Sequence, residues 1–327
     1  MMNLTIDQIR SVAIGAARVE ELENGIHLYR FTKEQEDLYR ERNADFYNKT
    51  FSTAGIRMEF VTNSTSLSME VEVSSASSRK FFCHEIFVNK KLVGTLENQE
   101  SNNGIFSGEF NLGEGEKTVR VYFPWSATSV IRRFALTDGA TLTPVKKSKT
   151  MLIFGDSITH GYDALRPSWS YASLLTDALD AEARNKGIGG ETFWSALAES
   201  SDDIDPDYIT VAYGTNDWSH AAKDKFSADA RAFYVALSRR NPRAKIFAIT
   251  PIWRADYQKK TNMNGPFEWV ADYLTEATAD LPNVTVIRGM DLVPKRSDFF
   301  SDEYLHPNDV GFAHYFNNLF TEIKKEL

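Results

Sequence analysis

The chain has 327 residues, of which 42% are hydrophobic and 25% charged, as in soluble globular proteins long enough for two domains. The net charge of −8 argues against a nucleic-acid partner, and no apolar run approaches the roughly 18 residues of a membrane-spanning helix. The single cysteine excludes an internal disulfide, and the first twenty residues lack the apolar segment of a signal peptide. We therefore expect a cytoplasmic protein that does not bind a membrane.

Residues 1–145 show the alternation of apolar and polar side chains that is typical of half-buried antiparallel strands. Turns rich in glycine, serine and asparagine separate these segments, so we predict an all-β sandwich domain of jelly-roll type. The charged stretch 33–45 interrupts the pattern and predicts either a short helix or a long loop. The alternating segments are 25–31, 55–60, 67–73, 85–88 and 117–123.

Two roles are open for this predicted β domain. In the role that we favour, it packs against the rest of the chain and shapes the cleft there. In the other, Tyr122, Phe123 and Trp125 form an aromatic platform for a sugar ring. Jelly-roll domains often bind carbohydrate, but fold alone is weak evidence for function.

From residue 146 to 327, strand-like apolar runs alternate with segments of helical spacing. This alternation predicts an α/β domain with a doubly wound parallel sheet, in which sites lie at the carboxyl ends of the strands. The predicted strands are 151–154, 208–213, 245–250 and 284–287, with a weaker one at 183–188, and the predicted helices are 226–237, 267–277 and 312–323.

The first strand of this domain stops at Gly155, and Ser157 follows where a predicted helix begins. A serine at this point would be displayed outward as a nucleophile, and free N–H groups at a helix start can hold an anion. The same residues would also suit an ordinary helix cap. Taken alone, they leave both readings open.

Three further polar clusters follow predicted strand ends or precede a predicted helix, at Gly189 and Gly190, at Asn216 and Asp217, and at His306. Each has an ordinary explanation as a turn, a helix cap or a surface histidine. Four clusters in this arrangement favour a shared site.

With these clusters the sequence resembles the SGNH or GDSL hydrolase superfamily, whose four blocks are named for Ser, Gly, Asn and His. Ser157, Gly190, Asn216 and His306 match those blocks in the family's order, and the resemblance covers residues 150–327. A β-sandwich ahead of such a domain also resembles the architecture of some carbohydrate esterases.

The resemblance implies that Ser157 attacks an acyl carbonyl while His306 acts as its base and later protonates the leaving alcohol. It also implies an oxyanion hole made by the N–H groups of Ser157 and Gly190 and the side-chain amide of Asn216. Asp156 is expected to orient the turn at the substrate pocket.

The chain departs from the family pattern at the acid that orients the histidine. The family places an Asp three residues before the His, where this chain has Glu303, while Asp302 lies four residues before. Either carboxylate would reach the imidazole of His306. We favour Asp302, because a one-residue bulge would preserve the usual side chain.

Trp194, Trp218 and His160 lie close to the blocks in sequence and are predicted to line the pocket, where bulky rings would restrict the acyl group to a short one. We therefore expect a serine esterase acting on short-chain O-acyl esters, most readily acetyl groups on a small carbohydrate. The alternatives are a thioesterase or lysophospholipase, and a carbohydrate-binding protein with an inactive hydrolase domain.

Neither the paired histidines of a zinc site nor a nucleotide-binding glycine pattern occurs in the sequence, so we expect no metal and no cofactor. The expected partner is a small-molecule acyl ester. The sequence does not determine the oligomeric state.

Overall fold

The computed structural model describes residues 1–258 and 265–327, and the strands of these residues form three sheets. The strands of sheets A and B lie within residues 2–144 and those of sheet C within residues 149–287, and these two parts are called the β domain and the α/β domain. No helix of the described residues is long and apolar enough to cross a membrane.

Sheets A and B are antiparallel and enclose one apolar core, as the alternating pattern predicted. Sheet A has the spatial order β3 (Arg18–Leu22), β4 (Gly25–Tyr29), β11 (Ala127–Leu136), β6 (Ser66–Ser75), β9 (Gly104–Asn111), with β1 (Met2–Asn3) paired to β11. Sheet B has the order β12 (Thr143–Pro144), β5 (Arg57–Thr62), β10 (Lys117–Tyr122), β7 (Phe82–Val88), β8 (Lys91–Asn98), with β2 (Ala13–Ile14) paired to β5.

The charged stretch 33–45 lies in two consecutive helices rather than in one short helix or a loop. The first, α2 (Lys33–Arg42), begins with a capping box at Thr32, and the second, α3 (Ala44–Thr50), follows after one residue. Both contribute side chains to contacts with the α/β domain. A shorter helix, α1 (Ile6–Val12), precedes them.

Sheet C is parallel, as predicted, and its strand order reverses at its second member. The next strand in the chain lies on one side of that member and the following strand on the other. Ligands of open α/β sheets bind in the crevice at such a reversal. The spatial order is β14 (Ala181–Asn185), β13 (Lys149–Gly155), β15 (Tyr208–Ala212), β16 (Lys245–Ile249), β17 (Val284–Ile287).

Helices cover both faces of sheet C, because side chains of each buried strand alternate between two apolar cores. Met151 and Ile153 of β13 face one core and Leu152 and Phe154 face the other. The first core is covered by α5 (Tyr171–Ala178) and α10 (Asp309–Ile323), and the second by α6 (Ser195–Glu199), α8 (Lys223–Arg240) and α9 (Val270–Thr278). Two short helices, α4 (Ser157–His160) and α7 (Thr215–His220), follow strand ends, and 3-10 turns occur at Pro167–Trp169, Phe267–Trp269 and Ser297–Phe299.

The aromatic residues considered as a sugar platform are buried, so that interpretation is wrong. Tyr122, Phe123 and Trp125 are 5%, 1% and 3% exposed. The ring of Trp125 packs 5.0 Å from that of Tyr162 in the α/β domain, and its indole N–H donates to the carbonyl of Ala164 at 2.7 Å. An aromatic residue that packs in the β core or against a neighbouring domain has the same sequence pattern as one that faces solvent, which is why this interpretation failed.

Candidate active site

Ser157 is the first residue of α4, directly after the turn that ends β13, and it is 8% exposed. Asp156 caps the helix, and its Oδ1 accepts a hydrogen bond from the N–H of Ile158 at 3.0 Å. Gly155 is required in this turn, because a Cβ there would overlap Oγ1 of Thr159. The tight turn holds the hydroxyl at the carboxyl edge of the sheet.

His306 reaches Ser157 from the loop before α10. Its Nε2 lies 2.9 Å from Oγ of Ser157, and its Nδ1 lies 2.7 Å from Oδ2 of Asp302. With an ionised carboxylate at Nδ1, that nitrogen carries the proton and Nε2 accepts from the hydroxyl. The hydroxyl, imidazole and carboxylate therefore form one hydrogen-bond relay, the arrangement that activates a serine.

The structure pairs Asp302, and not Glu303, with the imidazole of His306. Oδ1 of Asp302 accepts from the N–H groups of Tyr304, Leu305 and His306 at 2.9, 2.7 and 3.1 Å, which leaves Oδ2 for the ring. Partial burial opposes ionisation of Asp302, but the bonds from the ring and the N–H groups outweigh it and hold its pKa below the ordinary value. Glu303 is exposed and has a φ of 55°. The loop thereby accommodates one residue more than the family pattern has between the acid and the histidine.

The three predicted oxyanion donors follow β13, β14 and β15, which are neighbours in the sheet. Among residues 1–258 and 265–327, no protein atom accepts from the N–H of Ser157 or of Gly190. Gly190 has a φ of 90°, a conformation that favours glycine. Asn216 donates one amide hydrogen to the carbonyl of Glu191 at 2.9 Å and has a second to offer.

Buried cations of the β domain hold the loop that follows β14. The guanidinium of Arg30 is fully buried, and its Nη1 donates to the carbonyls of Asn185 and Gly187 at 2.9 and 2.7 Å. Nζ of Lys49 donates to the carbonyl of Gly189 at 2.9 Å. Sequence reasoning missed both cations, because nothing in a sequence separates a buried arginine or lysine from a surface one.

A second carboxylate, that of Asp163, lies beside the relay. Its Oδ2 is 3.7 Å from Nδ1 of His306. Arg79 of the β domain binds both carboxylate oxygens, with Nε to Oδ1 at 2.6 Å and Nη2 to Oδ2 at 2.9 Å. Asp163 adopts a φ of 69°, and neither it nor Arg79 carries a sequence signal. Arg79 of the β domain thus binds a carboxylate that lies beside the imidazole of His306.

Residues 153–314 match the model of the GDSL-like lipase/acylhydrolase family. The α/β domain belongs to this family. The matched segment includes Ser157, Gly190, Asn216 and His306. No curated protein sequence matches the chain.

Solved structures that share the fold extend over both domains of the chain. A salicylyl-acyltransferase, SsfX3, from a tetracycline biosynthetic pathway has a TM-score of 0.81 at 19% identity, covering 96% of this chain and 94% of that one. A putative GDSL-like lipase from Bacteroides ovatus has a TM-score of 0.79 at 18% identity, covering 99% and 97%. An acetyl xylan esterase from the rumen bacterium Butyrivibrio proteoclasticus has a TM-score of 0.65 at 16% identity, covering 100% and 99%. At these identities the likeness shows the fold, including a β-rich domain ahead of the GDSL-like domain.

Asp163, Asp302 and His306 of this GDSL-like protein also form a group close enough to share a metal ion, with ligand atoms within 4.8 Å of one another. Each already has a protein partner: Arg79 binds Asp163, and the oxygens of Asp302 accept from the loop N–H groups and the ring. The guanidinium beside Asp163 would repel a cation. These residues therefore suit a hydrogen-bond relay better than a metal site.

Of the two tryptophans predicted to line the pocket of the GDSL-like domain, Trp218 does not. It is fully buried, and its ring packs 4.9 Å from that of Phe267. Trp194 is half-buried, with the guanidinium of Arg42 at 4.2 Å and the ring of Tyr39 at 5.4 Å. Its part in the pocket stays a prediction. Closeness to a block in sequence did not separate core aromatics from pocket aromatics.

His160 is buried, and it supports the site from beneath instead of lining a pocket. Its Nδ1 accepts from the N–H of Gly189 at 3.3 Å, and its Nε2 lies 3.0 Å from the carbonyl of Trp125. Burial lowers its pKa well below the ordinary value, so the ring is neutral. Asp156 is likewise buried, borders a cavity of about 10 Å³ that is too small for an acyl group, and orients the turn.

A cavity of about 720 Å³ lies between the two domains at the opposite, amino-terminal edge of sheet C. Its lining includes Phe87, Trp169 and a set of charged groups. The charged groups pair with one another, Arg120 with Glu59 at 2.7 Å and with Asp177 at 2.6 Å. We assign no ligand to this cavity, and the candidate active site lies at the other edge.

Proposed function

We propose that this protein is a serine esterase that hydrolyses short-chain O-acyl esters, most readily acetyl groups on a carbohydrate. The observation that carries the proposal is the relay from Oγ of Ser157 through the ring of His306 to Asp302, with distances of 2.9 and 2.7 Å. A serine hydroxyl is a poor nucleophile at neutral pH without a base so placed.

In the first half of the reaction, Oγ of Ser157 bonds to the acyl carbon as its proton passes to Nε2 of His306. The carbonyl oxygen becomes an oxyanion, which the N–H groups of Ser157 and Gly190 and the amide of Asn216 would stabilise. The imidazolium, paired with Asp302, then gives its proton to the leaving alkoxide. The C–O bond breaks and leaves an acyl-serine.

In the second half, a water molecule gives a proton to Nε2 of His306 while its oxygen bonds to the acyl carbon. The second oxyanion collapses, the bond from the acyl carbon to Oγ of Ser157 breaks, and Oγ recovers the proton. Carboxylic acid and free enzyme result. The balance requires water only.

Two observations support a short acyl group. The ring of Phe46 stands beside the oxyanion donors, since a Cβ on Gly190 would lie 3.3 Å from its Cε1. The ring of Tyr162 is 5.7 Å from that of His306. A carbohydrate substrate is supported by the similar two-domain fold of the acetyl xylan esterase, which this chain matches over its full length.

The test compares 4-nitrophenyl acetate, butyrate and octanoate, followed by acetylated xylo-oligosaccharides. We expect acetate to be preferred, Ser157→Ala to be inactive, and a fluorophosphonate to label Ser157. Ser11→Ala, a change at an exposed serine of α1, serves as the matched control. A preference for octanoate contradicts the short-acyl assignment. Labelling of Ser157 without turnover of acetylated sugars directs the assignment to thioesters or lysophospholipids, and no labelling favours a pure binding protein.

A further inference from the structure

The loop after β14 carries Gly190 and bonds to cations of the other domain, as described above. The last of these bonds is the most informative, because it falls on the peptide group of an oxyanion donor. Nζ of Lys49 lies 2.9 Å from the carbonyl oxygen of Gly189, and Lys49 is only 8% exposed.

The Gly189–Gly190 peptide bond is trans, so its C=O and N–H point in opposite directions from one plane. A bond that fixes the carbonyl towards Lys49 therefore fixes the N–H of Gly190 in the direction away from Lys49. Two adjacent glycines have no side chains to resist a flip of this peptide plane. A hydrogen bond to the carbonyl therefore favours one orientation.

The other polar group of Gly189 is held as well, since its N–H donates to Nδ1 of His160 at 3.3 Å. His160 belongs to α4, the same short helix that begins with Ser157. The peptide group before Gly189 is thus tied to the helix of the nucleophile, and the peptide group after it to Lys49 of the β domain. The charge also matters, because a cation at the carbonyl polarises the peptide and strengthens its N–H as a donor.

We propose that Lys49 is a positioning residue for the oxyanion hole, and that it aims and polarises the N–H of Gly190 through the carbonyl of Gly189. The proposal rests on the esterase function proposed above and assigns to the β domain a direct part in the rate of that reaction. A preorganised donor lowers the energy of the transition state more than that of the bound ester. Removing Lys49 should therefore reduce kcat and leave KM nearly unchanged.

The matched control is Lys117→Met. Lys117 is 4% exposed, and its Nζ donates to the carbonyls of Ser64 and Gly113 within the β domain, at 2.7 and 2.5 Å. Lys49→Met and Lys117→Met each remove a buried ammonium that donates to backbone carbonyl oxygen, but only the first touches the loop of Gly190. A merely structural role for Lys49 predicts the same kinetic result for both variants. Lys49 also pairs with Asp45 at 2.5 Å, so Asp45→Asn is measured beside it and should keep the wild-type kcat.

The experiment measures kcat and KM for 4-nitrophenyl acetate, and the inhibition constant of methylboronic acid, at a temperature well below the melting point of every variant. The boronic acid forms an Oγ–B bond as the serine proton passes to His306, and its tetrahedral anion presents an oxygen to the oxyanion donors. We expect Lys49→Met to lower kcat by roughly 10- to 100-fold, somewhat less than loss of a donor itself. KM should stay within about twofold, and the inhibition constant should rise by the factor by which kcat falls.

Lys49→Arg should recover a large part of kcat, and Lys117→Met should keep it. If Lys49→Met does not fold, Lys49→Gln carries the test, because its amide is neutral and its side chain is one atom shorter, so that both the charge and the reach of the ammonium are lost. The inference would be overturned if Lys49→Met, or Lys49→Gln where that variant carries the test, kept the wild-type kcat. Equal losses of kcat in the Lys49 and Lys117 variants would also overturn it. If the wild-type protein showed no ester turnover that Ser157→Ala abolishes, the proposed function itself would be overturned. The two failures are therefore distinguishable.

Discussion

Oδ2 of Asp302 lies 2.7 Å from Nδ1 of His306, although Asp302 precedes the histidine by four positions instead of the family's three. The residue at the family position, Glu303, is exposed and has left-handed backbone geometry. The extra residue is thus absorbed in the backbone, and the carboxylate that holds the imidazole is still an aspartate.

This geometry predicts different results for two conservative changes. Asp302→Asn should lower kcat by roughly 10²- to 10⁴-fold, because an amide no longer holds the imidazole in the reactive tautomer or stabilises the imidazolium. Glu303→Gln should keep kcat within about twofold. Steady-state kinetics with 4-nitrophenyl acetate decide between them, and the reverse order of the two effects would assign the acid to Glu303.

Asn216→Ala should remove one oxyanion donor and with it about 3 kcal/mol of transition-state stabilisation, equivalent to 10²- to 10³-fold in kcat. KM should change little. Asn317→Ala, at an exposed asparagine of α10, is the matched control and should behave as wild type. A rise in KM at constant kcat would show instead that Asn216 binds the ester in its ground state.

Burial raises the pKa of Asp156 to about 6, and attraction to His306 and Arg254 offsets only part of this effect. A carboxyl with a raised folded-state pKa binds its proton more tightly in the folded than in the unfolded chain. Its contribution to the free energy of unfolding is therefore fully present below about pH 4 and is lost as the pH rises through 6. Asp156→Asn, which keeps the helix cap, should gain stability relative to wild type by about 1–2 kcal/mol between pH 5 and pH 8, roughly half of the full effect of about 3 kcal/mol. Thermal melts at both pH values test this, and a constant difference between the variants would contradict it.

The ion pair of Arg79 with Asp163 joins the two domains next to the relay. Arg79→Met should destabilise the protein by about 1–3 kcal/mol, because it leaves a buried carboxylate without its partner. Asp163→Asn in the same chain should restore part of that loss, since the remaining amide is neutral. Melting temperatures of the two single variants and the double variant measure the coupling. Simple additivity of the two losses would show that the pair contributes nothing.

Dialysis against EDTA should leave the esterase rate unchanged, because the nucleophile, the base and the oxyanion donors are all groups of the chain. Rates before dialysis, after dialysis and after addition of Zn²⁺ or Mn²⁺ provide the measurement. If EDTA abolished the activity and a metal restored it, Asp163, Asp302 and His306 would be assigned as a metal site instead.

Local pattern was sufficient for much of this fold. The apolar run at 284–287 is β17 as predicted, and the weaker segment at 183–188 is β14, displaced two to three residues towards the N-terminus. The four polar blocks were predictable because each sits at the end of an element whose period is visible. The contact of Ser157 with His306 follows once β13 lies in the sheet and α10 packs against that sheet.

The parts that failed depend on contacts between segments far apart in the chain. Trp125 packs against Tyr162, and Arg30 donates to the carbonyl of Gly187, over separations that no periodicity encodes. Asp163 has a positive φ that only its partners in space can maintain. Burial of an aromatic or a cation by another domain is a property of the assembled molecule.

The fully buried guanidinium of Arg30 has a consequence for dividing the chain into separate domain fragments. A fragment that begins near residue 146 would leave the carbonyls of Asn185 and Gly187 without their donor, and would expose the apolar surface that Trp125 now covers. Grafting the hydrolase segment onto a foreign carrier would therefore yield an impaired catalyst, whereas joining the intact chain to a carrier at either end preserves these contacts.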